Sequence, residues 1–160
     1  MSSLPPEVER VAAVLRAEAV EARIEEFPEG THTARDAADA LGCELSQIVK
    51  TVVLVADGAF VLVLVPGDRR ADEAAVAEAL PAELVRTARP EEVEHATGFP
   101  PGGVAPFPQR AITQTLFDVA LLRHEIVWIG AGTPSYVAGL APADLQRLTR
   151  GRGVDLQPHG

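Results

Sequence analysis

The sequence contains one cysteine, Cys43, in 160 residues. A single thiol closes no internal disulfide and builds no cysteine-based metal cage, and it suits a reducing, cytoplasmic setting. Long apolar runs are also missing. None reaches the roughly 18–20 residues that a membrane-spanning helix needs, so no membrane partner is expected. Met1 to Glu9 carries acids and prolines in place of a basic stretch followed by an apolar one, and it does not read as a secretory leader. Positive charge is short as well: the formal net charge is −9. That balance argues against a broad nucleic-acid-binding face and against DNA as a partner, and it limits any RNA contact to a small, salt-sensitive footprint. Scarcest of the basic residues is lysine, which occurs once, at Lys50, among 14 lysines and arginines. His32, His95, His124 and His159 have no ligand spacing, so no metal site is expected. Ser46 and Ser135 have no evident His/Asp partners, which weighs against a serine triad. Repeats and low-complexity tracts are absent.

What is present is a globular composition, 47% hydrophobic and 23% charged, enough for one domain with a real core. We expect that domain over residues 1–150 and a loose tail over 151–160. Apolar residues at helical spacing predict a helix over Pro5–Val20, with Val8, Val11, Ala12, Leu15 and Ala19 on one face. Further helices are expected at 34–41, 72–80, 90–97 and 142–149. Thr33 is placed to cap the first of these, Gly42 to end it, and Pro90 to open the third. Short strands are expected at 22–27, 84–87, 111–117, 126–130 and 137–140. Thr51–Ala56 and Ala59–Val65 are almost uniformly apolar and flank Asp57-Gly58, a hairpin turn signal, so they read as central strands buried on both faces. Helices and strands mix without a regular βαβ rhythm. The expected fold class is therefore α/β of the α+β type, a mixed sheet or partial barrel with outer helices.

Two features stand apart from this scaffold. Lys50 lies at the start of a strongly apolar strand, where a cation is least expected; read alone, it is most simply a solvated charge. Gly98–Pro108 carries Gly98, Gly102 and Gly103 among four prolines. It is too rich in breakers for an element and too apolar for a floppy linker. By itself it is most simply a connector.

Three blocks in register change both readings. They are Thr31–Thr51 (THTARDAADALGCELSQIVKT), Thr97–Pro108 (TGFPPGGVAPFP) and Val127–Thr149 (VWIGAGTPSYVAGLAPADLQRLT). Together they resemble the YbaK family, the prolyl-tRNA synthetase-associated editing domain, over nearly the whole chain. The resemblance implies a mixed, barrel-like sheet surrounded by helices, and metal-independent hydrolysis of the ester joining a noncognate amino acid to the tRNA 3′ end. It implies no cofactor. The implied partners are an aminoacyl-tRNA, contacted at its 3′ end, and an aminoacyl-tRNA synthetase. The family's lysine matches Lys50, its adjacent threonine Thr51, its glycine pair Gly102 and Gly103, and an aromatic near the pocket entrance Phe27. We carry Lys50, Gly102 and Gly103 forward as catalytic candidates. Phe27, Thr31, Thr51, Val104, Ala105, Pro106, Gly130 and Gly132 are carried forward as substrate-binding candidates. Three positions depart from the pattern: Val137 stands at or near a functional aspartate of some members, Ala105 replaces a frequent serine and Pro108 a frequent glycine. They imply a divergent specificity subgroup.

The chemistry suits these residue types. Ester hydrolysis develops negative charge on the carbonyl oxygen, and backbone N–H groups in a glycine loop can approach it closely. One fixed ammonium can hold the terminal phosphate or ribose in place. We favour that positioning role for Lys50 over general base, which would need a depressed pKa. Ala34, Val49, Ala105, Ile129 and Ala131 are small candidates for a pocket lining, and a small aliphatic or polar amino acid is the one expected to be removed. Two other function classes stay open at this point: a module that binds aminoacyl-tRNA or a synthetase without turnover, and a regulatory protein with no nucleic-acid ligand.

Overall fold

The computed structural model describes residues 3–27 and 33–157. In chain order they form α1 (Pro6–Ala17), β1 (Ala22–Glu26), α2 (Ala34–Leu41), a 3₁₀ turn (Leu45–Gln47), β2 (Val49–Ala56), β3 (Ala59–Pro66), α3 (Glu73–Ala79) and β4 (Val85–Thr87). There follow α4 (Pro90–Thr97), β5 (Ile112–Asp118), a second 3₁₀ segment (Val119–Arg123), β6 (Val127–Gly130), β7 (Tyr136–Leu140), α5 (Pro142–Thr149) and β8 (Arg152–Val154). Helix ends follow local chemistry. The Asp36 N–H donates to Thr33 Oγ1 (3.0 Å) and the Ala75 N–H to Asp72 Oδ2 (3.0 Å), which satisfies a donor that the first turn leaves unpaired. Gly42 and Gly98 close α2 and α4 in the left-handed region, at φ +68° and +83°.

β2 and β3 form the hairpin that Asp57-Gly58 predicts, with Ala56 facing Ala59 across a turn at φ +48° and +86°. The Asp57 carboxylate also accepts the N–H groups of Glu83 (3.1 Å) and Leu84 (2.8 Å), which brings β4 to the outer edge of β2. β3 is the centre of a five-stranded sheet ordered β4-β2-β3-β5-β8, antiparallel to β2 and parallel to β5. Its residues alternate between two cores. Leu62 and Leu64 pack with Val11, Leu15, Phe99, Phe107, Phe117 and Ile129, whereas Val61, Val63 and Val65 pack with Val76, Leu80, Leu116 and Leu156 under α3. Each such side chain is worth about 1.5–3 kcal/mol when removed from water, so the hairpin anchors both halves of the domain.

Two expectations need correction. The sheet is mixed and flanked by helices, but it does not close into a barrel. β1, β7 and β6 form a separate three-stranded sheet that meets the larger one through an isolated parallel bridge, Ile48 to Trp128. Closure requires every strand to be paired on both sides. Here β4 takes the later part of β2's outer edge, at Leu54–Ala56, and β6 meets β2 only where it begins. The second correction concerns residues expected in a loose tail. Arg152–Val154 adds β8 in parallel to β5, Leu156 is fully buried, and the Gln157 Nε2 donates to Asp118 Oδ2 (2.7 Å).

Candidate functional site

Strand alternation decides where Lys50 points. Lys50, Val52 and Leu54 share the face of β2 turned toward α3, while Val49, Thr51, Val53 and Val55 face the other way. Between the first face and α3 runs a groove of about 450 Å³ with an aliphatic floor that includes Val52, Leu54, Val63 and Val65. Lys50, Arg69 and Arg70 stand on its rim with Glu73, Glu83 and Arg86. The Lys50 Nζ donates to the Arg69 carbonyl oxygen across a long 3.4 Å, which leaves donors of the ammonium available. Arg86 is differently placed. Its guanidinium grips the Glu92 carboxylate with two bonds of 2.8 Å. That contact, joined by the Arg89 N–H, holds the Glu92 carboxyl well below the usual range, at about 2.

The glycine-proline segment is a fixed wall. At its start the Arg10 Nη2 donates to the Gly98 carbonyl (2.8 Å), and the same guanidinium lies 4.6 Å over the Phe99 ring. Phe99, Ala105 and Phe107 are buried in the larger core. Gly103 lies so close to the β6–β7 turn that an added Cβ would come within 2.7 Å of Thr133 Cα and 2.8 Å of the Gly132 oxygen. Gly130 abuts the Val104 carbonyl in the same way, and Gly132, at φ +110°, abuts Glu7 of α1. Gly103, Val104, Gly130 and Gly132 are thus brought together in one backbone-to-backbone contact. The Gly103 N–H donates to the Pro100 carbonyl (3.1 Å), so it is engaged within its own turn. Gly102 is exposed at φ +90°, and among the described residues its N–H has no backbone partner. Of the glycine pair, Gly102 is therefore the one whose N–H is without a partner among the described residues.

The other candidates fall in several places. Ala105 and Pro106 are buried, and the Pro106 carbonyl accepts from the Gln109 Nε2 (3.3 Å). Phe27 is half-buried; its N–H donates to the Ser135 carbonyl (2.6 Å), and its ring packs near Ala37, Trp128 and Val137. Thr31 lies outside the described residues. Thr51 is half-buried, with its Oγ1 shielded from solvent and without a hydrogen-bond partner among the described residues. An unmade bond of this kind costs about 1–3 kcal/mol, which marks Thr51 as a polar atom lacking an acceptor or donor on the core side of β2. Val49, Ala105, Ile129 and Ala131, expected as pocket lining, are core residues instead, and none lines the Lys50 groove. Val137 is buried and apolar.

The Ile48–Trp128 bridge relates the two regions. It is parallel, so Lys50 and Gly130 each stand two residues beyond it on strands leaving in the same direction. Lys50 and Gly130 thus both follow closely on the bridge that joins the two sheets. The side chain turns into the α3 groove, and among the described residues lining that groove none belongs to the glycine segment. Sequence reasoning does not single out Arg69 and Arg70, although the turn-forming run Gly67-Asp68-Arg69-Arg70 directly after the hairpin carries the signal. Among the described residues no three His, Cys, Asp or Glu side chains gather as a metal site, and no helix is long and apolar enough to cross a membrane.

Comparison with known families decides the relationship. Residues 28–148 match the model of the aminoacyl-tRNA editing domain. The chain belongs to this YbaK-type editing family. Among its relatives is the proline–tRNA ligase of Acidithiobacillus ferrooxidans, 33% identical over 140 residues, a match covering 81% of this chain and 24% of that enzyme. The proline–tRNA ligase of Nitratidesulfovibrio vulgaris is 36% identical over 130 residues, covering 79% of this chain and 21% of the enzyme. This editing-family chain therefore spans about a quarter of the length of the synthetases it matches. A crystal structure of a proposed trans-editing enzyme for prolyl tRNA synthetase superposes with a TM-score of 0.89 at 34% identity, covering 98% of this chain and 100% of that one. The matched segment contains Lys50, the glycine wall and nearly all of α5.

Proposed function

We propose that this editing domain acts in trans as an aminoacyl-tRNA deacylase, hydrolysing the ester between a noncognate small amino acid and the tRNA 3′ end. The observation that carries the reading is the single lysine of an editing-family domain standing on the rim of an aliphatic groove. In the reaction water adds to the ester carbonyl carbon, the acyl C–O bond breaks, and the ribose hydroxyl leaves with a proton. The Lys50 ammonium holds the terminal phosphate or ribose, which converts a bimolecular encounter into a positioned one. Gly102, the sequence's candidate for stabilising the developing oxyanion, does not line this groove, so the reading does not rest on it. Gly103 keeps the wall in place by having no side chain. The free neighbouring hydroxyl of the substrate ribose helps to orient the attacking water. No metal or cofactor enters this scheme, and the reaction is assigned to the cytoplasm, alongside a synthetase that makes the error.

A small amino acid is the proposed target because one methylene changes discrimination by only about 1–3 kcal/mol, the limit that editing exists to extend. The test is release of amino acid from a panel of mischarged tRNAs. Cleavage of one or a few small noncognate esters is expected, and a panel left wholly intact refutes the reading. A second reading, a binding module without turnover, is favoured by buried Val137, where some members carry aspartate, and by the engaged Gly103 N–H. Tight tRNA binding with no ester cleavage would select it.

A further inference from the structure

The rim of the Lys50 groove is charged against the trend of the chain. Net charge is −9 overall, yet Lys50, Arg69 and Arg70 line one groove, and among the described residues none of the three makes an ion pair. Arg86, the fourth cation there, is occupied by Glu92. Three neighbouring cations repel one another unless an anion joins them. Their placement is built in. Gly67 is buried, and a Cβ there would lie 2.7 Å from the Leu45 oxygen and 2.8 Å from the Ile48 oxygen, so the loop after β3 is seated on the residues that lead into Lys50. The Arg69 N–H donates to the Pro66 carbonyl (3.1 Å), closing a turn that presents both arginines at the groove.

We propose that Arg69 and Arg70 form a clamp for the phosphodiester backbone at a single-stranded RNA 3′ end, with the groove floor receiving the group that end carries. The inference deepens the deacylase reading and rests on it for the choice of RNA. Arginine forks bind phosphate oxygens in pairs, whereas the Lys50 ammonium acts as a point charge. The floor from Lys50 to Leu54 runs about 13 Å along β2, and Glu73 and Glu83 stand on the same rim. Those acids and the negative net charge repel a long backbone, so the footprint is confined to the terminus.

The experiment is fluorescence anisotropy of a short, unacylated single-stranded RNA ending in the tRNA 3′ sequence, measured at several salt concentrations. Wild type is compared with R69A/R70A, with the charge-retaining R69K/R70K, and with R16A/R123A, which removes two arginines outside the groove. R69A/R70A is expected to bind at least about tenfold more weakly, with a log–log salt slope shallower by about 1.4, some 0.7 for each phosphate no longer neutralised. R69K/R70K should keep most of the slope while binding more weakly, and R16A/R123A should keep both slope and affinity. The clamp is overturned if R69A/R70A matches wild type in affinity and slope, if wild type does not bind the oligomer, or if inorganic phosphate at equal concentration competes as well as the oligomer. RNA binding of the expected kind without ester cleavage leaves the clamp standing and removes the deacylase reading, so the two failures are told apart.

Discussion

Gly130 and Val104 touch backbone to backbone: a Cβ added at Gly130 would lie 2.7 Å from the Val104 carbonyl oxygen. This contact seats the glycine-proline wall on the strand that bridges to the start of β2. Gly130→Ala must push the wall away, because the obstructing atom is backbone and cannot rotate aside. Overpacking of this kind costs about 1–3 kcal/mol. We expect a lower thermal midpoint together with reduced deacylation. An alanine variant with wild-type midpoint and rate would show that the wall need not be seated here.

The C-terminal strand should be part of the stable fold. Leu156 is fully buried with Leu116 and Val76, and Gln157 satisfies buried Asp118. Leu156→Ala is expected to cost about 2–5 kcal/mol in denaturant unfolding. A loss below about 0.5 kcal/mol would mean that the segment from Gly151 onward contributes little, as surface substitutions do.

Much of the fold is legible in the sequence because it is local. The Asp57-Gly58 turn fixes its own hairpin, and Thr33, Gly42 and Pro90 mark helix ends that the structure places at Ala34–Leu41 and Pro90–Thr97. Sheet closure is not local. Whether β6 follows β2 around a barrel depends on β4 competing for one strand edge, and nothing in either segment's alternation reports that. β8 escapes sequence reasoning for a related reason. Arg152–Val154 is three residues with no alternation, and it is a strand only because β5 offers a parallel edge. At the candidate site, Lys50 stands out by its rarity, but the face it takes follows from β2 beginning at Val49 and not after Lys50. The arginines beside it do not stand out, because arginine is common in this chain.

Acid should weaken the domain partly through Glu92. Its carboxyl is held at about 2 by Arg86 and by the Arg89 N–H, below the roughly 4.3 of an unfolded glutamate. A depressed folded pKa favours the folded state above the unfolded value, and the benefit disappears as pH falls from about 4.3 toward 2. Wild type should therefore lose stability across that window, and Glu92→Gln should lose less over the same range. Urea unfolding at steps between pH 6 and pH 2 measures it; identical slopes for the two proteins would contradict the assignment.

Cys43 should be a sluggish thiol. Burial pushes its pKa up and the neighbouring Glu44 charge adds to this, while a backbone hydrogen bond opposes it. Less thiolate is then present at any given pH than for a free cysteine, whose pKa is about 8.5. Alkylation with iodoacetamide should rise with a pH midpoint above that value. A midpoint at or below it would make Cys43 an activated thiol.

The central claim is that one ammonium positions the ester. Single-turnover deacylation of the preferred mischarged tRNA, with wild type and Lys50→Ala at saturating enzyme, tests it most directly. The account predicts a rate about 100-fold lower for Lys50→Ala, with an unchanged thermal midpoint. Equal rates for the two proteins would contradict it.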